Sequence, residues 1–476
     1  MLNTKYIDLA CRTSGVLAAC ALLLMLGCGG AELKPWHTEN LSAEFSVSKA
    51  ENIRSLADYL QLEEEVFAQL DEKIYAQSVS GAAYALMRYS SGSLSDPRKR
   101  RPNWNRSFEL DKADAVGGVL LLHGMSDSPY SLRALGLTLN RQGYRVLGLR
   151  LPGHGTAPSA MISISWQDMS AAVRLGMEHL RNSVGNGPVH IIGYSTGATL
   201  ALDYALEAQA AEAPASLVLI SPAIGLSPVA GFSGWKRRLS KLPSLGNLAW
   251  LTIEPEFDPY KYNSFATRAA EQVHLLSRSV SARIRQRSTE EVLPPILVLT
   301  SAVDATVSVD AVVDRLLMPL ASNRHELVLF DINRFAPLSM LLVVDSGPIT
   351  NRMLQDPSLP FSLTVVGNTD IESRSVSAFH KKPFAEQVSH VESLGLDWPE
   401  GILSLSHVSL PFPSDDPLYG RYPPEDRRVL FLGQQALQGE RGLFKISPSY
   451  LLRLRHNPFY DYLEERVLDW VDRSQR

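Results

Sequence analysis

Two glycines bracket a serine in Gly193-Tyr194-Ser195-Thr196-Gly197. The pattern lies between a short apolar run, Val189 to Ile192, and an Ala/Leu-rich stretch of good helix formers. This predicts a strand, a sharp turn and a helix. A serine on such a turn needs glycine two positions to either side, where a side chain would collide with the adjoining strand or helix. Ser195 is then presented above the carboxyl end of the strand, at a helix N-terminus whose N–H groups face any developing anion. That chemistry is nucleophilic attack on an acyl carbonyl, which requires a base and a group to orient the base. The competing reading is a Gly-rich loop with an inert serine.

The surrounding elements alternate. Val119 to Leu122 reads as a buried strand running into His123-Gly124-Met125-Ser126-Asp127-Ser128-Pro129. A helix is expected over Tyr130 to Gln142, stopped by Gly143. A strand over Arg145 to Leu151 then leads into Pro152-Gly153-His154-Gly155-Thr156, and Ser165 with Asp168 caps a helix that starts near Trp166. Further strands are expected at Ser216–Ile220, Ile296–Thr300, Glu326–Asp331 and Phe361–Val366. A loop-rich stretch to Glu400 and a strand over Ile402–Ser406 follow. An amphipathic helix over Phe459–Val471 ends the chain. Strand and helix in alternation predict an α/β fold with a mostly parallel central sheet and helices on both faces.

Three stretches carry a resemblance: LLLHGMSDSPYSLRALGLTLNRQGYRVLGLRLPGHGT, VHIIGYSTGATLALDYA and PPILVLTSAVDATV. Together they resemble the α/β-hydrolase superfamily, near its bacterial carboxylesterase and monoacylglycerol lipase branch. The resemblance implies that the backbone N–H groups of Met125 and Thr196 form an oxyanion hole. It implies that Asp304, in a strand-end Asp-x-x-Val loop, is the triad acid. Asp258, Asp310, Asp314 and Asp331 lack that context and read as surface, capping or cap-region acids. His123 and His154 read as structural loop residues.

The resemblance also implies a base in a loop beyond a late strand. Compact relatives carry it after the strand matching Glu326–Asp331, but here Ile332-Asn333-Arg334 follows. A long insertion over 332–400 intervenes, so extra strands or a subdomain are expected there. Of the later histidines, His325 leads into a strand and is set aside. His380 has no strand expected before it, and His390 lies in an irregular or helical stretch. His456 follows Leu451-Leu452-Arg453-Leu454-Arg455, where two arginines would depress its proton affinity. His407 follows the alternating Ile402–Ser406 and is the expected base, with His456 as the alternative. Residues 222–290 correspond to the helical cap of such hydrolases. Phe232, Trp235, Leu239, Leu242, Leu245, Leu248, Trp250 and Leu251 suit either an apolar acyl chain or the insertion's own core.

The chain has 476 residues, 45% hydrophobic and 20% charged, with a formal net charge of −4. That balance gives no electrostatic argument for nucleic acid. Residues 1–27 resemble a bacterial lipoprotein signal, with an apolar core over Gly15–Leu26 ahead of Gly27-Cys28-Gly29. Cys28 is the expected lipidation site, and the expected location is the bacterial cell envelope, at the outer membrane. The only cysteines are Cys11, Cys20 and Cys28, so a chain cut before Cys28 has no internal disulfide and no cysteine-based metal site. Residues 28–115 read as a tether and a helical extension. Ser48-Lys49-Ala50-Glu51 has the spacing of a capping box, and Ile53, Leu56, Leu60, Phe67, Leu70 and Ile74 follow at mostly helical intervals. Arg98 to Arg101 reads as a solvated loop, with anionic lipid or lipopolysaccharide as the alternative contact.

The expectation is a serine hydrolase of carboxylic esters spanning 116–476, acting on a small-molecule or lipid ester. It needs no cofactor and no metal, and it meets the membrane through its N-terminal anchor. The alternatives are a peptidase or acyltransferase using the same triad, or a non-catalytic binding protein of this fold.

Overall fold

A computed structural model describes residues 32–225, 246–287, 293–304, 306–339, 347–425, 429–433 and 454–474. Cys28 and the cap residues Phe232, Trp235, Leu239, Leu242 and Leu245 lie outside them.

The sheet strands are β1 (Phe108–Leu110), β2 (Gly118–Leu122), β3 (Arg145–Leu149), β4 (Val189–Tyr194) and β5 (Leu217–Ile220). A separate pair, β6 (Trp250–Thr252) and β7 (Phe265–Ala266), follows. Then come β8 (Ile296–Ser301), β9 (Glu326–Phe330), β10 (Ser362–Asn368), β11 (Ser375–Lys381) and β12 (His390–Asp397). The main sheet runs β1-β3-β2-β4-β5-β8-β9-β10-β11-β12. It is parallel from β3 to β10, and β1, β11 and β12 pair antiparallel at its two ends. The longer helices are α1 (Leu56–Lys73), α2 (Arg133–Arg141), α3 (Trp166–Val184), α4 (Thr196–Glu207), α5 (Thr267–Gln286) and α6 (Tyr460–Arg473).

The central strands β2, β4, β5 and β8 are buried on both faces, and their alternation sorts side chains into two cores. Leu120, Leu122, Ile191, Leu217, Leu219, Ile296 and Val298 pack with residues of α3, α4 and α5. Val119, Leu121, Ile192, Val218, Ile220, Leu297 and Leu299 pack with residues of α2 and α6. Each fully buried aliphatic side chain of this kind contributes about 1.5–3 kcal/mol. The expected α/β class, with helices on both faces, is what forms.

Several local expectations change. The α1 N-cap is Ser55, not Ser48: its side chain accepts from Asp58 N, and the Asp58 carboxylate accepts from Ser55 N. Aspartate three residues on closes the box where glutamate was sought. Val47–Asn52 instead forms a 3-10 turn, pinned where Val47 N–H donates to Asp168 Oδ1 at 2.7 Å. His380 lies on β11 and His390 opens β12, so the insertion adds an antiparallel extension to the sheet. Residues 402–406 form no strand. Asn333 takes their carbonyls instead, donating its N–H to Leu403 O (2.8 Å) and its Nδ2 to Ile402 O (2.9 Å). Arg98 is not a solvated loop residue, for it pairs with Asp71 and Asp96 and stacks on Tyr75. Asp258 is fully buried, accepting from Tyr419 OH at 2.7 Å and from Tyr260 N and Lys261 N. The described part of the 222–290 segment carries β6, β7 and α5, and α5 packs on α4 as part of the main core.

Two buried charge systems tie the N-terminal extension to the sheet. Arg150, just after β3, pairs with Glu44 at 2.9 Å and Glu63 at 3.1 Å, and donates to His154 O. Tyr59 OH of α1 donates to Arg150 O at 2.6 Å.

The second system is centred on Glu256, whose carboxylate accepts the N–H of Asn263 (3.0 Å) and of Ser264 (2.8 Å). Burial pushes its carboxyl up to about 7, against those hydrogen bonds and the charge of Arg88. Folding therefore takes up a proton at Glu256 between its ordinary value of 4.5 and about 7. An acid whose folded value is raised loses stability as pH rises through that window, here by roughly 3 kcal/mol in total. Glu256→Gln is expected to remove this pH dependence, read as the difference between denaturant midpoints at pH 5 and pH 8. Identical pH slopes in both proteins would contradict it.

Candidate active site

The turn between β4 and α4 places Ser195 at φ 55 and ψ −114. A non-glycine residue in this region carries about 1–3 kcal/mol of strain and persists only where its surroundings hold it. Here Ser195 N–H donates to Ile220 O at 2.8 Å. Its carbonyl accepts from Ala198 N and Ala223 N, each at 3.1 Å. A Cβ on Gly193 would come within 2.5 Å of the α4 backbone at Ala198. The local sequence reading of a glycine-bracketed elbow thus has its steric counterpart in the fold.

Asp304 follows β8 and His407 opens a short 3-10 turn, 103 positions later. The fold brings them into contact: His407 Nδ1 donates to Asp304 Oδ2 at 2.8 Å. The other carboxylate oxygen accepts from Thr306 N (2.8 Å) and Val307 N (3.0 Å). Burial raises the Asp304 carboxyl, but the hydrogen bond and charge of His407, with those two N–H groups, hold it below its usual range. It is therefore ionised and fixes the His407 tautomer, leaving the lone pair on Nε2. Tyr194, one residue before Ser195, adds a brace, with its OH donating to His407 O at 3.2 Å.

A cavity of about 260 Å³ contains Ser195, Thr196, Met125 and His407 in its lining. No hydrogen bond joins Ser195 Oγ to His407 among the described residues, and in such sites that contact tightens with substrate. No carbonyl of a described residue takes the N–H of Met125 or of Thr196. Ala223, Phe265, Ala270 and Val273 make one side apolar. The remaining histidines are elsewhere. His123 donates from Nδ1 to Gly124 O and accepts from Leu151 N on Nε2, and so holds the loop. His154 donates from Nδ1 to Pro152 O, and burial lowers it to about 4. His456 is buried outside this cavity, and burial lowers its proton affinity. His380 lies between Thr364 and Glu392 on the sheet extension.

The sequence reading missed one pair in the lining. Lys261 Nζ meets Asp127 Oδ1 at 2.8 Å, joining the loop after β2 to the segment before β7. The next residue along, Tyr262, donates its N–H to Ser126 O at 2.8 Å. These contacts hold the Met125 loop from outside. Only the short stretch Phe257–Asn263, with no periodicity, signals them.

Residues 113–331 match the family model described as serine aminopeptidase, S33. A thermostable monoacylglycerol lipase from Bacillus sp. (strain H-257) is 36% identical over 85 residues, 18% of this chain and 33% of that protein. A carboxylesterase from Bacillus subtilis (strain 168) is 33% identical over 84 residues, 18% of this chain and 34% of that protein. The chain thus spans about a third of the length of these curated relatives. Among solved structures, a metagenome-derived lipolytic enzyme aligns at 22% identity and a TM-score of 0.39, covering 48% of this chain and 87% of that one. The sheet order and the Ser195 elbow give the chain an α/β-hydrolase fold, and residues 113–331 resemble carboxylesterases and monoacylglycerol lipases.

Proposed function

We propose that the chain is a serine hydrolase that cleaves carboxylic esters through Ser195, His407 and Asp304. The observation that carries this reading is the His407–Asp304 hydrogen bond facing the same cavity as the strained Ser195. His407 Nε2 takes the Ser195 hydroxyl proton as Oγ attacks the acyl carbonyl, and Asp304 stabilises the imidazolium that forms. The N–H groups of Met125 and Thr196 receive the oxyanion, each contributing about 3–4 kcal/mol at the transition state. His407 then returns the proton to the leaving alcohol, and water releases the acyl-enzyme by the same route reversed. The apolar wall of Ala223, Phe265, Ala270 and Val273 favours an acyl chain over a charged side chain.

A fluorophosphonate probe should label the wild-type chain and leave Ser195→Ala unlabelled. Turnover of p-nitrophenyl esters should depend on acyl length. Equal labelling of both proteins would overturn the nucleophile. Aminoacyl amides turned over as well as the best ester would replace the ester reading with a peptidase.

A further inference from the structure

The N-terminal extension closes over a second cavity, of about 240 Å³, separate from the one at Ser195. Its lining comes from α1, the 97–106 segment and the Gly155-Thr156 turn. Arg88, Arg98, Arg101 and Arg106 contribute to it, against a single acid, Asp71. Arg98 is compensated by Asp71 (3.0 Å) and Asp96 (2.9 Å), and Arg106 by Glu64 (2.6 Å). Their guanidinium groups also lie over aromatic rings, Arg98 at 3.5 Å from the Tyr75 centroid and Arg106 at 4.1 Å from that of Phe67.

Arg88 and Arg101 have no ion pair of this kind, although the Arg88 guanidinium lies 5.6 Å from the Tyr89 ring centroid and 5.2 Å from that of Tyr262. Arg101 is exposed and has no ion pair or hydrogen bond among the described residues. Arg88 is 1% exposed. Its Nη atoms reach only neutral oxygens: Gly155 O at 3.0 Å, Asn105 Oδ1 at 3.3 Å and Asp258 O at 3.4 Å. Its Nε is buried without a partner. The neighbouring Glu256 carboxylate is occupied by the Asn263 and Ser264 N–H groups. Glu256 is close enough to feel the Arg88 charge but makes no direct ion pair with it, and a buried guanidinium without one, with an orphaned donor besides, is costly.

We propose that this cavity binds a phosphate-type oxyanion, a phosphomonoester or phosphodiester group, with Arg88 and Arg101 as its principal ligands. Phosphate fits because guanidinium forks match its oxygens, and its several acceptors can serve two arginines at once. A monoester carries about −1.5 to −2 at neutral pH, which matches the two cations without an ion pair. The group could come from a soluble phosphate compound or from a phospholipid head group.

The full chain is titrated with inorganic phosphate and with glycerol phosphate, at ionic strength held constant with chloride, while Tm and heat of binding are followed. Both ligands should raise Tm above the chloride control. Arg101→Gln should weaken binding about tenfold, as expected for loss of a charge-assisted contact, and leave p-nitrophenyl ester hydrolysis unchanged. Arg101 is on the surface, so this variant reports on the site even where an Arg88 variant fails to fold. Retention on phosphatidylglycerol vesicles but not phosphatidylcholine vesicles, competed by glycerol phosphate, would assign the head-group source. Binding of the soluble ligands alone would assign the free one. No phosphate-specific stabilisation and no vesicle retention would overturn the proposal, as would binding unaffected by Arg101→Gln.

Discussion

His407→Ala is expected to lower kcat on p-nitrophenyl esters by about four orders of magnitude, with thermal unfolding little changed. His407 is the one histidine among the described residues that line the Ser195 cavity, and the Asp127 carboxylate there is engaged by Lys261. His456→Ala, by contrast, should retain near-normal kcat, because His456 lies outside that cavity. The two histidines therefore separate cleanly by kcat and not by expression level. Near-normal turnover in His407→Ala with loss in His456→Ala would reverse the assignment. The effect is large because a neutral serine hydroxyl is a poor nucleophile, and one imidazole both removes and returns its proton. In the proposed mechanism Asp304 acts through that imidazole: its remaining oxygen is held by Thr306 N and Val307 N, which keeps the acceptor on His407.

Gly197→Ala should unfold the chain more readily, by about 3 kcal/mol or more, and depress kcat in whatever fraction still folds. A Cβ at Gly197 would stand 2.1 Å from Leu122 O and 2.6 Å from His123 O. Both are backbone atoms at the end of β2, so no side-chain rotation relieves the clash. Relief requires α4 to move away from β2, which separates Thr196 N–H from Met125 N–H. Gly185→Ala serves as the control. Its added Cβ meets nothing within 4 Å, so only its backbone conformation, φ 59 and ψ −116, is penalised, at about 1–3 kcal/mol as at Ser195. Equal midpoints in a denaturant titration of the two variants would show that the close approach at Leu122 is not limiting.

Legibility in the sequence followed the range of the interaction. From Gly117 to Ser221 the strands are short apolar runs, and α2 and α3 each have a stop or cap of their own, so local pattern sufficed there. Ser165 with Asp168 forms the expected capping box, and Gly143 at φ 106 ends the preceding helix region. The sequence argument that points to His407 rests on a strand that does not form. Ile402–Ser406 alternates like a strand, yet its backbone is held by Asn333, a contact that leaves no periodicity. β12 was unreadable for a different reason: as an edge strand it is largely exposed on both faces, so burial imposes no alternation. The Lys261–Asp127 and Arg150–Glu63 pairs join segments far apart in the chain, and no window of sequence contains both partners.

The Arg150 clamp bears on how the chain can be trimmed. The hydrolase match begins at residue 113, which invites a cut just ahead of it. Such a cut would remove Glu44 and Glu63 and leave Arg150, nearly fully enclosed, with no counter-charge. Stripping one side of a buried ion pair costs about 3–5 kcal/mol, a large part of an ordinary domain's total stability. The extension is therefore part of the folded unit, not an appendage that can be cut away at residue 113. A shortened chain that keeps both carboxylates of this clamp has to begin ahead of Glu44.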